Sequence, residues 1–190
     1  MAPRVGIDRA QIVAAAAALA DQHGLDALTL AQIAAQLGVR LPSLYNHIDG
    51  LPGLRRELAL LGARQLYEVM SRAAIGKAED AAVLALGQSY RQYVIDHPGL
   101  YAATVRAPAA DDQELQQASQ AIIEVVLAVL APYRLDEQAA IHAVRGLRSV
   151  AHGFATLELA GGFALALDRD ESYLRLLRGY IAGLRADSAG

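Results

Sequence analysis

Apolar residues recur every three or four positions along almost the whole chain. Nowhere do apolar and polar residues alternate strictly, as they would in a half-buried strand, and no segment repeats. The pattern predicts helices over about 8–23, 29–37, 40–47, 50–74, 79–96, 98–106, 112–131, 136–160 and 170–185, joined by short loops. Local signals fix several ends. Asp8 with Gln11, and Thr29 with Gln32, have the spacing of N-terminal capping boxes. Gly24 and Gly38 are stops, and Gly38 allows a turn with positive φ. Pro42 falls in the first turn of the third helix, where its missing N–H costs nothing. Pro98 ends the fifth helix and starts the sixth. Pro132 and the Gly161-Gly162 pair close the seventh and eighth. The expectation is an all-α chain of about nine helices, in which residues 1–50 form a three-helix helix-turn-helix domain and residues 51–190 a second helical domain.

Hydrophobic residues make up 54% of the chain, enough for a packed core. Without cysteine there is no disulfide framework and no thiolate chemistry, so a reducing cytoplasm is the expected compartment. The first residues lack a basic-then-apolar signal segment, and Glu124 interrupts the apolar run 121–131; no membrane-spanning helix is expected. The net charge is −3, distributed as +1 over residues 1–65 and −4 over the rest. That asymmetry has the sign of an N-terminal nucleic-acid-binding part but is small.

Residues 29–47 read as helix, glycine turn, helix, the plan in which the second helix enters the DNA major groove. Burying Ile33, Ala34, Leu37, Val39 and Leu44 turns Arg40, Leu41, Ser43, Asn46 and His47 outward, with Tyr45 at the boundary. Arg suits guanine edges, Asn adenine edges, and Leu a thymine methyl, while Ser, Tyr and His suit phosphate oxygens. So short a helix buries little apolar surface, and its outward polar groups need an explanation other than stability. With Thr29 at the head of the preceding helix, these residues make a candidate DNA-binding site.

The segment "LTLAQIAAQLGVRLPSLYNHIDGL", residues 28–51, resembles the DNA-binding segment of the TetR family of bacterial transcriptional regulators. The likeness rests on Thr29-Leu30, Ile33-Ala34, Gly38-Val39, Ser43-Leu44-Tyr45 and His47. "LRSVAHGFATLELAGGF", from Leu147 to Phe163, and "DHPGLYAAT", from Asp96 to Thr104, are similar to a subgroup named for a Trp-His-Gly motif; here Ala151 stands at the Trp position, before His152 and Gly153. Arg40 replaces a small hydroxyl residue common in the family. A Lys often found early in the fourth helix is missing, and Arg55 and Arg56 are candidate substitutes on phosphate.

The resemblance implies two chains paired through their last two long helices and an effector pocket among the middle helices. The ninth helix offers an apolar face with Tyr173, Leu177, Tyr180 and Leu184; the eighth offers a smooth strip with Gly146, Ser149 and Gly153. These are the expected homodimer interface. Tyr90, Tyr93, His97, Tyr101, His152 and Phe154 place polar tips on otherwise apolar faces, as an amphipathic pocket would. The expected partners are a double-stranded DNA operator, a second copy and a small organic effector.

No nucleophile elbow, phosphate loop or dinucleotide glycine fingerprint occurs, so neither enzyme chemistry nor a cofactor is expected. The five histidines show no i, i+4 pair, and no metal site is expected. The reading is a sequence-specific transcriptional regulator, a repressor released by its effector. The alternative is a helical ligand-binding or scaffold protein without specific DNA binding.

Overall fold

The computed structural model describes residues 7–187, leaving out the side chain of Asp187. Among them every regular element is helical: α1 (Arg9–His23), α2 (Leu30–Gln36), α3 (Gly50–Ala74), α4 (Glu79–Asp96), α5 (Pro98–Thr104), α6 (Gln113–Leu130), α7 (Glu137–Leu159) and α8 (Arg169–Asp187). Three short 3-10 helices lie at Leu25–Ala27, Leu41–Asn46 and Ala131–Tyr133. The third expected helix is one of these, a 3-10 turn in place of an α-helix. It spans only six residues, and its N-cap Arg40 makes no side-chain capping bond.

The described chain forms two compact units. One runs through Arg64 and adds His97–Gln116; the other joins Gln65–Asp96 to the chain from Gln117 onward. Compactness thus groups the start of α3 and all of α5 with the N-terminal helices, a division that differs from the expected one after residue 50.

In the first unit, Ile12, Ala16, Ile33, Leu44, Leu54 and Leu58 form the centre of the core. Both expected capping boxes are present: the Gln11 N–H donates to Asp8 at 2.8 Å and the Gln32 N–H to Thr29 Oγ1 at 3.3 Å, each with the reciprocal side-chain bond. Helix α5 lies so close to α1 that a Cβ on Gly99 would stand 2.0 Å from the Ala20 carbonyl oxygen. Asp21 completes this joint: one carboxylate oxygen accepts from the Leu100 N–H at 2.8 Å and the other lies 3.0 Å from His97 Nδ1.

In the second unit, α4 packs against α7 and α8. The Tyr173 hydroxyl donates to the Gly87 carbonyl at 2.8 Å, and a Cβ on Gly87 would meet Leu177 Cδ2 at 2.8 Å. Arg91 donates from Nε and Nη2 to Glu158 at 2.7 and 2.8 Å and from Nη1 to Asp170 at 2.7 Å, while its guanidinium lies over the rings of Phe154 and Tyr173. Near the far end of α8, Asp80 accepts from the Tyr133 hydroxyl at 2.7 Å and from Arg185 at 2.8 Å, which together hold its carboxyl below the usual range. The stretch Gln113–Tyr133 is long and apolar enough to cross a membrane by length and mean hydropathy. It nevertheless carries Glu124, and Val126, Val129 and Leu130 are buried in this unit.

The Gly99 joint gives a direct test. Gly99→Ala must push α5 off α1, and the expected loss reaches or exceeds the upper end of the about 1–3 kcal/mol typical of overpacking. Thermal unfolding followed by circular dichroism measures it; an unchanged melting temperature would show that the helices separate freely there.

Candidate nucleic-acid interface

The reading element is assembled from local rules and one buried side chain. Thr29 caps α2, and the helix ends in a Schellman turn. There the Val39 N–H donates to Ala34 O at 3.0 Å and the Gly38 N–H to Ala35 O at 3.1 Å. Gly38 takes φ 65°, in the left-handed region. The chain then enters the 3-10 turn, closed by Ser43 N–H to Arg40 O (2.9 Å) and His47 N–H to Leu44 O (2.9 Å). Leu44 is fully buried and is the only residue of the turn in the core.

Everything else on the turn faces out. Arg40, Leu41, Asn46 and His47 are exposed, and Ser43 is half-buried. Tyr45, expected at the boundary, is 57% exposed, because its neighbour Leu44 takes the inward position. Thr29 is exposed while its hydroxyl serves the cap. Among the described residues no ion pair or hydrogen bond engages the side chains of Arg40, Tyr45, Asn46 or His47. The structure places Arg40, Leu41, Ser43, Tyr45, Asn46 and His47 together on this turn and its two caps, and Thr29 apart from them at the head of α2. A cleft of about 320 Å³ opens beside it, lined in part by Arg9, His47, Asp49 and Glu57.

The two candidate phosphate contacts on α3 have partners within their own unit. Arg56 is held by Asp112 through two bonds of 2.6 and 2.7 Å, with Glu57 and Glu114 each at 3.0 Å. The bond to Asp112 contributes most to raising the guanidinium pKa, and its three carboxylate neighbours neutralise it. Arg55 donates to the Leu25 carbonyl at 3.3 Å and lies 3.5 Å from Asp26. Both arginines are half-exposed and engaged by groups of their own unit. Asp112 and Glu114 lie far along the chain from Arg56, so sequence spacing carried no sign of them.

The other expected residues divide. Tyr90 and Tyr93 on α4 and Phe154 on α7 are buried in the second unit, where the Tyr93 hydroxyl donates to Gln65 Oε1 at 3.3 Å. His152 is half-buried; burial first and Arg148 second push its imidazole below the ordinary value, favouring the neutral ring. Tyr101 is buried in the first unit, where His97 faces Asp21.

Of the expected dimer residues, Tyr173, Leu177 and Leu184 are corrected: at 1%, 0% and 4% exposure they are core residues of a single chain. Tyr180 also turns inward, donating to Ala143 O, and a Cβ on Gly146 would meet its ring at 3.0 Å. An apolar stripe on a helix does not say whether its own chain or another covers it. Ser149 is exposed and Gly153 half-buried, and a Cβ on Gly153 would meet nothing within 4 Å. On α8 the exposed positions include Leu176, Gly179 and Gly183 among charged neighbours such as Arg175 and Arg178. Their i, i+3, i+7 spacing was the sequence signal for this face, obscured by the stronger apolar stripe beside it.

An exposed turn of hydrogen-bonding groups, set on a short capped helix and followed by a helical second unit, defines a helix-turn-helix regulator. Residues 12–48 match the family model described as bacterial regulatory proteins, tetR family, and residues 83–180 match the tetracyclin repressor-like C-terminal domain. An uncharacterized HTH-type transcriptional regulator of Bacillus subtilis, YobS, is 37% identical over 97% of this chain and 96% of its own. A Rhodococcus protein of unknown function superposes with a TM-score of 0.82 at 22% identity, covering 97% of this chain and 100% of that one. A TetR variant of Acinetobacter baumannii in complex with minocycline superposes with a TM-score of 0.73 at 20% identity, covering 97% and 99%. The chain belongs to the TetR family of helix-turn-helix transcriptional regulators, and is a regulator rather than an enzyme. Members of this family bind DNA operators as dimers and respond to small-molecule effectors.

The arginine assignment is tested by Arg56→Gln. In the folded state Arg56 holds Asp112 and Glu114 below the usual carboxylate range. Their contribution is therefore present above the unfolded carboxylate pKa and fades as pH falls through the folded one. The variant should melt lower than the parent at pH 7, the gap should close in acid, and the salt slope of DNA binding should not change. A slope smaller by about one counterion would return Arg56 to the phosphate backbone.

Proposed function

We propose that this regulator is a cytoplasmic repressor, released from its operator by a small organic molecule. The single observation that carries the DNA site is the 3-10 turn with its caps: five exposed side chains suited to bases and phosphate, on a turn anchored by Leu44 alone. Arg40 and Asn46 read base edges, Leu41 meets a thymine methyl, and Thr29, Ser43, Tyr45 and His47 hold the backbone. In this reading residues 1–50 are the DNA-binding domain and 51–190 the effector-binding and dimerisation domain.

The dimer surface is the outward face of α7 and α8, around Ser149, Gly153, Leu176, Gly179 and Gly183. Small residues there let a partner helix approach closely. The effector site lies in the second unit about Tyr90, Tyr93, His152 and Phe154, for a largely apolar molecule with one or two polar groups. Support comes from the mixture of buried rings and polar tips on α4 and α7, and from the minocycline held by the Acinetobacter neighbour. An effector that lowers operator affinity about 100-fold must favour the released conformation by about 2.7 kcal/mol. The Ala151-His152-Gly153 likeness supports the Trp-His-Gly subgroup.

Gel shifts on genomic fragments, followed by footprinting, test the operator reading. One near-palindromic site should bind far above bulk DNA, and Arg40→Ala or Asn46→Ala should each cost about 1–3 kcal/mol while relaxing one base position. Equal affinity for all fragments would remove the reading. Gly153→Leu tests the dimer surface. Its side chain has open space within its own chain, so the melting curve of the isolated protomer should hold while the dimer weakens in sedimentation. A dimer of parental strength would move the interface elsewhere.

A further inference from the structure

The cleft beside the reading turn brings in a residue that sequence spacing left aside. The end of the turn lines it through His47, Ile48 and Asp49, and α1 lines it through Arg9, its first residue. Each side is held by its own bonds. The His47 N–H closes the turn on Leu44 O at 2.9 Å, Ile48 is buried in the core, and the Gly53 N–H donates to Asp49 O at 3.2 Å where α3 starts. Asp8 caps α1 one residue before Arg9. Arg9 and the exposed His47 therefore open on one space of about 320 Å³, at the edge of the surface proposed to meet DNA.

Two guanidiniums line this cleft, and they are not equally engaged. Arg56 has Asp112, Glu114 and Glu57. The Arg9 guanidinium has Glu57 alone among the described residues, and donates to the same Oε1 that accepts from Arg56 Nη1 at 3.0 Å. The Arg9 side chain is 60% exposed, against 35% for Arg56 and 15% for Glu57. So open an ion pair contributes little to stability. When Arg9 turns to another anion, Glu57 keeps Arg56, and no largely buried carboxylate is left without a partner.

In a helix-turn-helix complex the elements flanking the groove-reading segment meet the phosphate backbone. We infer that Arg9 is a DNA contact, holding a backbone phosphate next to the one met by His47. The inference rests on the reading of residues 40–47 as the operator-binding turn. Asp49 opens on the same cleft and, with Glu57, offsets its positive charge. Net attraction into the cleft is therefore small, and the contact is one charge-assisted bond from an exposed guanidinium to one phosphate, not a basic patch. The competing role for Arg9 is structural, tying the start of α1 to α3 through Glu57.

Gel shifts at several salt concentrations separate the two roles, with a genomic fragment selected by the parent protein and its base-substituted variants as probes. Arg9→Gln should make the slope of log K against log salt shallower by about 0.9 per protomer and leave the order of preference among the probes unchanged. Between about 50 and about 200 mM salt the parent then loses about 3.5-fold more affinity per protomer than the variant. Arg9→Lys should restore the slope, because the charge returns. Glu57→Gln should keep the parental slope and bind at least as tightly, since it removes only the competing anion. A parental slope in Arg9→Gln, or a Glu57→Gln variant that loses binding as Arg9→Gln does, overturns the contact and makes Arg9 a structural tie. In either of those outcomes the parent still prefers its fragment and the operator-binding turn stands; a parent that selects no fragment overturns both.

Discussion

A short 3-10 turn has almost no stability of its own: its hydrogen bonds are poorly aligned, and its length is below one that a free helix needs. Here Leu44 supplies the missing anchor, wholly buried among Ile12, Ile33, Leu54 and Leu58. The positions of Arg40, Tyr45, Asn46 and His47 all follow from that one side chain. Because Leu44 is the turn's sole inward residue, the remaining positions can carry hydrogen-bonding groups at no cost to the core. The same arrangement makes the DNA-binding surface depend on core packing, since a cavity at Leu44 would release the element that reads bases.

Close backbone approach is the second constraint on this unit. Gly99 against Ala20 and Gly62 against Leu100 and Thr104 seat α5 in the N-terminal core, and the Asp21 carboxylate satisfies a free N–H at the start of α5. Charge is handled inside the unit as well. Arg56 gathers Asp112, Glu57 and Glu114, so the small positive balance of the N-terminal part overstates what is available to phosphate.

In the second unit, the inner and outer faces of α8 have separate work. The inner face puts Tyr173 and Leu177 against Gly87, where the absent Cβ makes room. Burial pushes the Tyr173 phenol above its ordinary pKa, which keeps it a donor. With that face consumed, Leu176, Gly179 and Gly183 stand on the exposed side of the helix. Arg91 joins α4 to Glu158 at the end of α7 and to Asp170 at the start of α8, and lies over Phe154, a residue proposed for the effector site.

Local sequence was sufficient for the helices, the two capping boxes, the Gly38 turn and the outward set on residues 40–47. A capping box needs only partners one helical turn apart, and a glycine stop needs only its own φ. Periodicity also showed that the ninth expected helix has an apolar face. What covers that face was settled by packing, because Tyr173, Leu177 and Leu184 meet residues far away in the chain. The same holds for Arg56 with Asp112 and for His97 with Asp21, pairs that only the folded chain brings together. It holds too for the third helix, where a 3-10 turn forms because one buried leucine, and no helical propensity, holds it in place.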